Sequence, residues 1–294
     1  MKTFLFLTIV TLSEASIGVF VKLVDGQIPI AALNFYRVLF AALFLGCTLP
    51  FVRPDFWNPP RDNIRDTVVV GALIAAQISM FNLAMTLAPI ANVVVFWSVA
   101  PFFVFIFSTL FLGERPRRLH LVIFALAGVG LVIAKPLEEG YAAGNLIALL
   151  DGAVYAAMVT YLRNEGRQQQ AEDIFWFMLA ATAFLSPALF LVGPGNLLAT
   201  SSHALFGLPV PVFLWAVCLG VLSTGVAFLF ISAVLQHINA NLYALIDIIV
   251  SPLVAALLGY WIFSEVPSMN MIYGAALLLA SGLWLTLSRD TGNG

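Results

Sequence analysis

Hydrophobic positions in this chain fall in long continuous blocks, not in alternating ones. Val93 to Leu112, for example, runs through valine, phenylalanine, isoleucine and leucine without a single charge. About 20 such residues carry an α-helix across the hydrocarbon core of a bilayer. Breaking the blocks at charges, prolines and glycine clusters predicts ten spans: Phe4 to Val24, Ile30 to Phe51, Asp66 to Leu87, Ala91 to Leu112, Leu119 to Ala134, Asn145 to Leu162, Ile174 to Leu191, Val210 to Leu235, Leu242 to Phe263 and Ile272 to Ser288. The residue-by-residue alternation of a transmembrane barrel strand is absent. The expected fold is therefore all-α and polytopic, with ten transmembrane helices and connections too short to house a domain outside the bilayer. Lys2 precedes the first block as in a signal peptide, but Glu14 interrupts it and no small-x-small cleavage site follows, so it is read as a retained helix.

Composition agrees: 62% of the 294 residues are apolar and 10% are charged. A formal net charge of −2 gives none of the basic footprint of a nucleic-acid binder. Cys47 and Cys218 each lie inside an apolar run, which excludes a disulfide framework and a cysteine-rich metal site. No metal and no cofactor are expected. The loop cations sort by side. Lys2, Arg53, Arg61, Arg65, Arg115, Arg117, Arg118, Arg163, Arg167 and Arg289 share one face of a ten-span chain, against Lys22 and Lys135 on the other. Cations concentrate on the cytoplasmic side, so both termini are expected there, in the inner membrane of a bacterium. Arg37, near the start of the second span, is expected to snorkel to the outer interface, with a role in the pathway as the alternative.

The fourth and ninth spans share a frame. Each opens on Ala-Asn, at Ala91-Asn92 and Ala240-Asn241, and each carries a proline, Pro101 and Pro252. Thirteen residues after each proline a glutamate opens an acid-x-proline turn, Glu114-Arg115-Pro116 and Glu265-Val266-Pro267. Five helices per half is an odd number, so the second copy must enter from the opposite side: residues 1–138 and 139–294 are expected as two inverted five-helix repeats in one membrane domain. The arginines of LGERPRRL have no counterpart in FSEVPSMN, as inversion under the same charge bias requires.

With Gly113-Glu114-Arg115-Pro116 after the proline-bearing fourth span, Gly128 and Gly130 in the fifth, and Ser16 with Lys22 in the first, the chain resembles the drug/metabolite transporter superfamily, EamA-type branch, over nearly its whole length. The resemblance is greatest to the bacterial aromatic-amino-acid exporters and their broader amino-acid relatives. It implies export of amino acids and other metabolites. Where that family commonly has tryptophan in the first helix of each half, this chain has Glu14 and Asp151.

Charged groups at bilayer depth mark function by default. Glu14 and Asp151 occupy matching places in the two halves, each about one turn before Gly18 and Tyr155, and with Asp247 they are the candidate proton or ammonium sites. A carboxylate near a helix end that snorkels is the bland alternative. Pro101 and Pro252 lack an N–H and free the carbonyls of Trp97 and Ile248, so both are candidate helix breaks, and paired breaks point to a transport site. A packing kink satisfied by Ser98 and Ser251 is the competing reading. The candidate substrate-binding residues are Ser79, Asn82, Trp97, Ser98, Asp151, Tyr155, Asp247 and Ser251. Neutral polar groups such as Gln77, Ser79 and Asn82 also serve as interhelical glue, and Trp97, Tyr155 and Tyr243 also serve as packing. Gly71, Ala75 and Ser79, and Ala255 with Gly259, allow close helix approach, and Glu114 and Glu265 read as turn caps.

The function expected is a secondary transporter exporting amino acids and related small metabolites by alternating access, working as a monomer, with small-molecule substrate and lipid as its partners. Export of other metabolites or drugs is the alternative. An intramembrane enzyme lacks its motif here: His120, His203 and His237 fall at helix ends or connections, and no H-E-x-x-H set, nucleophile elbow or nucleotide-binding loop is present. A channel has no filter sequence to support it, and a passive scaffold matches repeated helix breaks poorly.

Overall fold

The computed structural model describes residues 2–24, 26–52, 64–113, 118–165, 171–202, 209–235, 237–238 and 240–290. It is an all-α polytopic membrane protein, with eight apolar helical spans of 18 residues or more and two shorter apolar helices, Arg118–Ile133 and Ile249–Phe263. The first span is split into α1 (Lys2–Ala15) and α2 (Ile17–Leu23). The second and third are α3 (Ile30–Val52) and α4 (Ile64–Leu87), and the fourth is split into α5 (Ile90–Trp97) and α6 (Ala100–Phe111). Next come α7 (Arg118–Ile133), α8 (Ala142–Asn164), and a split seventh span, α9 (Ala171–Leu185) with α10 (Pro187–Val192). The eighth is α11 (Val212–Gly220), a π-helical turn Val221–Val226 and α12 (Ala227–Leu235); α13 (Ala240–Phe263) and α14 (Met269–Asp290) complete the chain.

Serine hydroxyls account for the splits. Ser16 donates to the carbonyl of Ser13 at 2.7 Å, Ser98 to Val95 at 2.7 Å and Ser186 to Ala183 at 2.9 Å, each reaching back three residues. A hydroxyl that takes a carbonyl at that distance tightens the turn and competes with the helical ladder. Thr48, Ser232, Ser281 and Thr286 make their shortest backbone bond to the carbonyl four residues back, and their helices run on unbroken.

The prolines divide accordingly. Pro101 stands in the first turn of α6, where a missing N–H costs nothing, and the expected break is present. Pro252 lies inside α13, which continues through it, so the expected second break is absent. The difference lies in the serine: Ser251 donates to the Asp247 side chain at 2.5 Å and leaves the backbone carbonyls in place.

The chain forms two compact units. One comprises residues 1–82 and 168–237, the other 83–167 and 238–294, so each takes helices from both sequence halves. Related spans run antiparallel within each unit. In the first, Gly46, late in α3, lies against the Phe175 ring, early in α9. In the second, Gly274 near the start of α14 lies against Ala134 just past the end of α7, so closely that a Cβ there would come within 2.6 Å of the Ala134 backbone nitrogen. Glu265, just past the end of α13, accepts the N–H of Ile90 at the start of α5 at 2.8 Å. Spans two with seven, four with nine and five with ten are the pairs an inverted repeat must oppose. The turns match too: Gly113 and Ser264, each immediately before its glutamate, both have positive φ, +71° and +56°. Glu265 is thus a cap, as expected, though of a helix in the other half. Glu114 to Arg117, with His203, lie outside the described residues.

Candidate functional site

Each unit has its own buried polar centre beside a helix irregularity. In the second unit it surrounds the break between α5 and α6. Ser98 and Val99 form the joint, with φ/ψ of −62°/−3° and −72°/−13°. Because Pro101 carries no N–H, the Trp97 carbonyl has no donor four residues on. Gly152 of α8 packs onto this point: a Cβ there would lie 3.2 Å from the Trp97 carbonyl oxygen and 3.4 Å from the Ala100 nitrogen. Its neighbour Asp151 is fully buried, at 0% exposure. One turn on, the Tyr155 ring meets the Trp97 ring with centroids 5.2 Å apart. The structure therefore brings Trp97, Ser98, Asp151 and Tyr155 to one place. Asp151 is the tenth residue of α8, which rules out the snorkelling alternative.

Asp247 and Ser251 form a half-buried carboxylate–hydroxyl pair on α13 in the same unit. Asn92 donates to Asn145 at 3.4 Å, and Asn145 to the Pro136 carbonyl at 3.2 Å, which stitches α5 to α8 near their first turns. These asparagines hold helices together as interhelical bonds do.

In the first unit the centre lies between α3, α4 and the π turn. Arg37, at 5% exposure, does not snorkel. Its Nε–H donates to Thr224 Oγ1 at 3.0 Å and its Nη1 to Asn82 Oδ1 at 2.7 Å, while Asn82 Nδ2 donates to Asn34 Oδ1 at 2.7 Å. Thr224 and Asn82 give these donors protein acceptors inside the bundle, so the side chain has no need to reach the interface. Ser223 lies 2.7 Å from Ser16 Oγ, and since the Ser16 hydrogen is directed to the Ser13 carbonyl, Ser223 is the donor. Of the predicted residues, Asn82 is fully buried here, while Glu14 and Ser79 of the same unit are half-buried. Glu14 and Asp151 belong to different units.

Sequence reasoning missed Asn34, Thr224, Ser223 and the importance of Arg37. The signal for the π turn was present: Ser223-Thr224-Gly225 is a run of small polar residues in the middle of an apolar span. Among the described residues no cluster of histidine, cysteine and acidic side chains could hold a metal ion.

The model of the EamA-like transporter family matches residues 1–134. A riboflavin transporter of Brucella anthropi is 26% identical over 275 residues, covering 90% of each chain. A pseudopaline exporter of Pseudomonas aeruginosa is 26% identical over 275 residues, covering 92% of this chain and 90% of the relative. One crystal structure covers 99% of both chains with a TM-score of 0.64 at 19% identity, a likeness of fold. Transport, not catalysis, is the class of activity these relatives share by name.

Proposed function

We propose that the chain is throughout its length an EamA-like secondary transporter that moves small metabolites across the cytoplasmic membrane by alternating access, with amino acids as its leading substrate class. The observation that carries this reading is the α5/α6 break, where a proline, a buried carboxylate and two touching aromatic rings meet. Irregular backbone at membrane depth is tolerated where it lines a cavity or is buried in protein, and such breaks are where transporters bind substrate. Trp97 and Tyr155 offer ring faces to an apolar side chain, and Asp151 offers a carboxylate to an ammonium. In the same unit Asp247 with Ser251 is proposed to complete this site; in the other unit Glu14, Ser79 and Asn82 are proposed as substrate-contacting groups. The two sequence halves, 1–138 and 139–294, act as inverted repeats, both termini are cytoplasmic, and a single chain suffices.

The relatives favour a second substrate class. Riboflavin is the named substrate of one and pseudopaline of another, so a larger heteroaromatic or zwitterionic solute fits the same aromatic pair. Uptake of labelled amino acids of graded size, and of riboflavin, into proteoliposomes with and without a pH gradient tests both. Saturable amino-acid uptake supports the first reading and riboflavin uptake alone the second, while no movement of any solute by folded protein removes the transport assignment.

A further inference from the structure

Within the Arg37 cluster only Asn82 enters the substrate reading above; Arg37, Thr224 and Asn34 do not. We infer that Arg37 is a positioning residue: its guanidinium holds the eighth span in the wide turn Val221–Val226 and ties that turn to α3 and α4, making the turn a hinge of the first unit.

The directions of the bonds carry the argument. Arg37 Nε–H occupies a lone pair of Thr224 Oγ1 at 3.0 Å, and the Thr224 hydroxyl hydrogen is directed to the Leu219 carbonyl, five residues back, at 3.1 Å. In an ordinary α-helix a threonine hydroxyl reaches the carbonyl three or four residues back. The five-residue reach belongs to the π turn, so the arginine bond favours the hydroxyl orientation that only the wide turn provides. At its other end the planar guanidinium is fixed by Asn82, which is itself fixed by Asn34 one turn before Arg37. Backbone contact reinforces this. A Cβ at Gly220 would meet the Arg37 carbonyl oxygen at 2.7 Å, and one at Gly225 would meet the Phe44 ring at 2.6 Å, so α3 is pressed against both ends of the turn. Isolated π turns inside α-helices persist where their surroundings hold them, and they concentrate at functional sites. The turn also reaches another irregularity of this unit, since Ser223 donates to Ser16 at the joint of α1 and α2. A change at one joint is thereby coupled to the other by a side-chain bond.

The test uses the full chain in lipid nanodiscs and follows amide hydrogen exchange across Val221–Val226 in Arg37→Gln, Thr224→Val and the double variant. Each single substitution is expected to speed exchange there by about tenfold, with no change in α7 or α14. The double variant is expected to exchange no faster than the faster single, because both remove one interaction. Unchanged exchange in both singles, additive acceleration, or acceleration spread equally over both units overturns the inference. Arg37→Lys keeps the charge and loses the fork, so acceleration should persist; full restoration by lysine would also overturn the positioning role.

That the hinge works in the transport cycle rests on the proposed function and is read separately. For solutes the wild type moves, Arg37→Gln and Thr224→Val should lower the maximal rate about tenfold with KM within about twofold. A raised KM at unchanged rate makes Arg37 a substrate-contacting group instead and overturns its role here. Should the wild type move nothing, the transport reading fails while the exchange experiment still decides the hinge.

Discussion

Among the described residues Asp151 and Arg37 are the two acidic or basic side chains, histidine aside, that are buried most completely, and the sequence revealed them unequally. Asp151 interrupts a run of apolar residues, so its cost in the membrane is visible from composition alone. Arg37 stands eight residues into its span, where a long side chain can reach water if it faces lipid and cannot if it faces protein. Which way it faces depends on Asn82 and Thr224, 45 and 187 residues away in sequence, and no local pattern encodes that. Two substitutions test the second unit's centre. Asp151→Asn keeps the volume of the side chain and removes its titratable group, so a response of uptake to an imposed pH gradient should disappear while the protein stays folded. An intact response would exclude Asp151 from any proton site. Trp97→Ala removes one ring of the tilted pair at 5.2 Å, a contact worth about 0.5–1.5 kcal/mol beyond its burial, and should weaken uptake of tryptophan several-fold more than that of alanine. Equal losses for both solutes would make the ring a packing element.

Helices were legible and their breaks only partly so. The ten apolar blocks recur as helices because length and hydropathy suffice to specify a span. Proline was an incomplete guide to the joints: Pro101 and Pro187 each stand in the first turn after one, Pro252 marks none, and Ser16 makes a joint with no proline nearby. A hydroxyl reaching back three residues is the better predictor, but its rotamer is a property of the folded helix and is invisible in the sequence. The two prolines should therefore respond differently to replacement. Pro252→Ala restores an N–H for the Ile248 carbonyl in a helix that is already continuous, and an interior proline costs about 3 kcal/mol, so the variant should gain stability by about 1–3 kcal/mol. Pro101→Ala adds an N–H where the first turn of α6 needs none and so should gain little or nothing. Thermal unfolding in one detergent compares the pair. A loss of stability in Pro252→Ala, or an equal gain in both, would mean that Pro252 does not cost α13 the backbone bond that its continuous helix implies.

At the scale of the molecule the proposed inverted repeat would account for the difference between contact units and sequence halves. Spans two and seven, three and eight belong to one unit with the first, and spans four and nine, five and ten to the other with the sixth, so every compact unit needs both halves of the chain. The Glu265 bond to Ile90 is one instance of this dependence across halves. Opposed copies also fix the charge argument. If the halves are inverted, the cations of one cannot be an inherited accident of the other, and ten against two is then a bias selected on each copy separately. Near an anionic leaflet each cation contributes about 1 kcal/mol, so that asymmetry strongly favours a single orientation over a mixture. With Cys47 and Cys218 replaced by serine, a lone cysteine at Gly140 should react with a membrane-impermeant maleimide in intact cells, and one appended to the C-terminus only after permeabilisation. The reverse pattern would place the termini outside. Labelling of both sites in intact cells would show two orientations, which would leave the loop arginines without the directing role that their distribution implies.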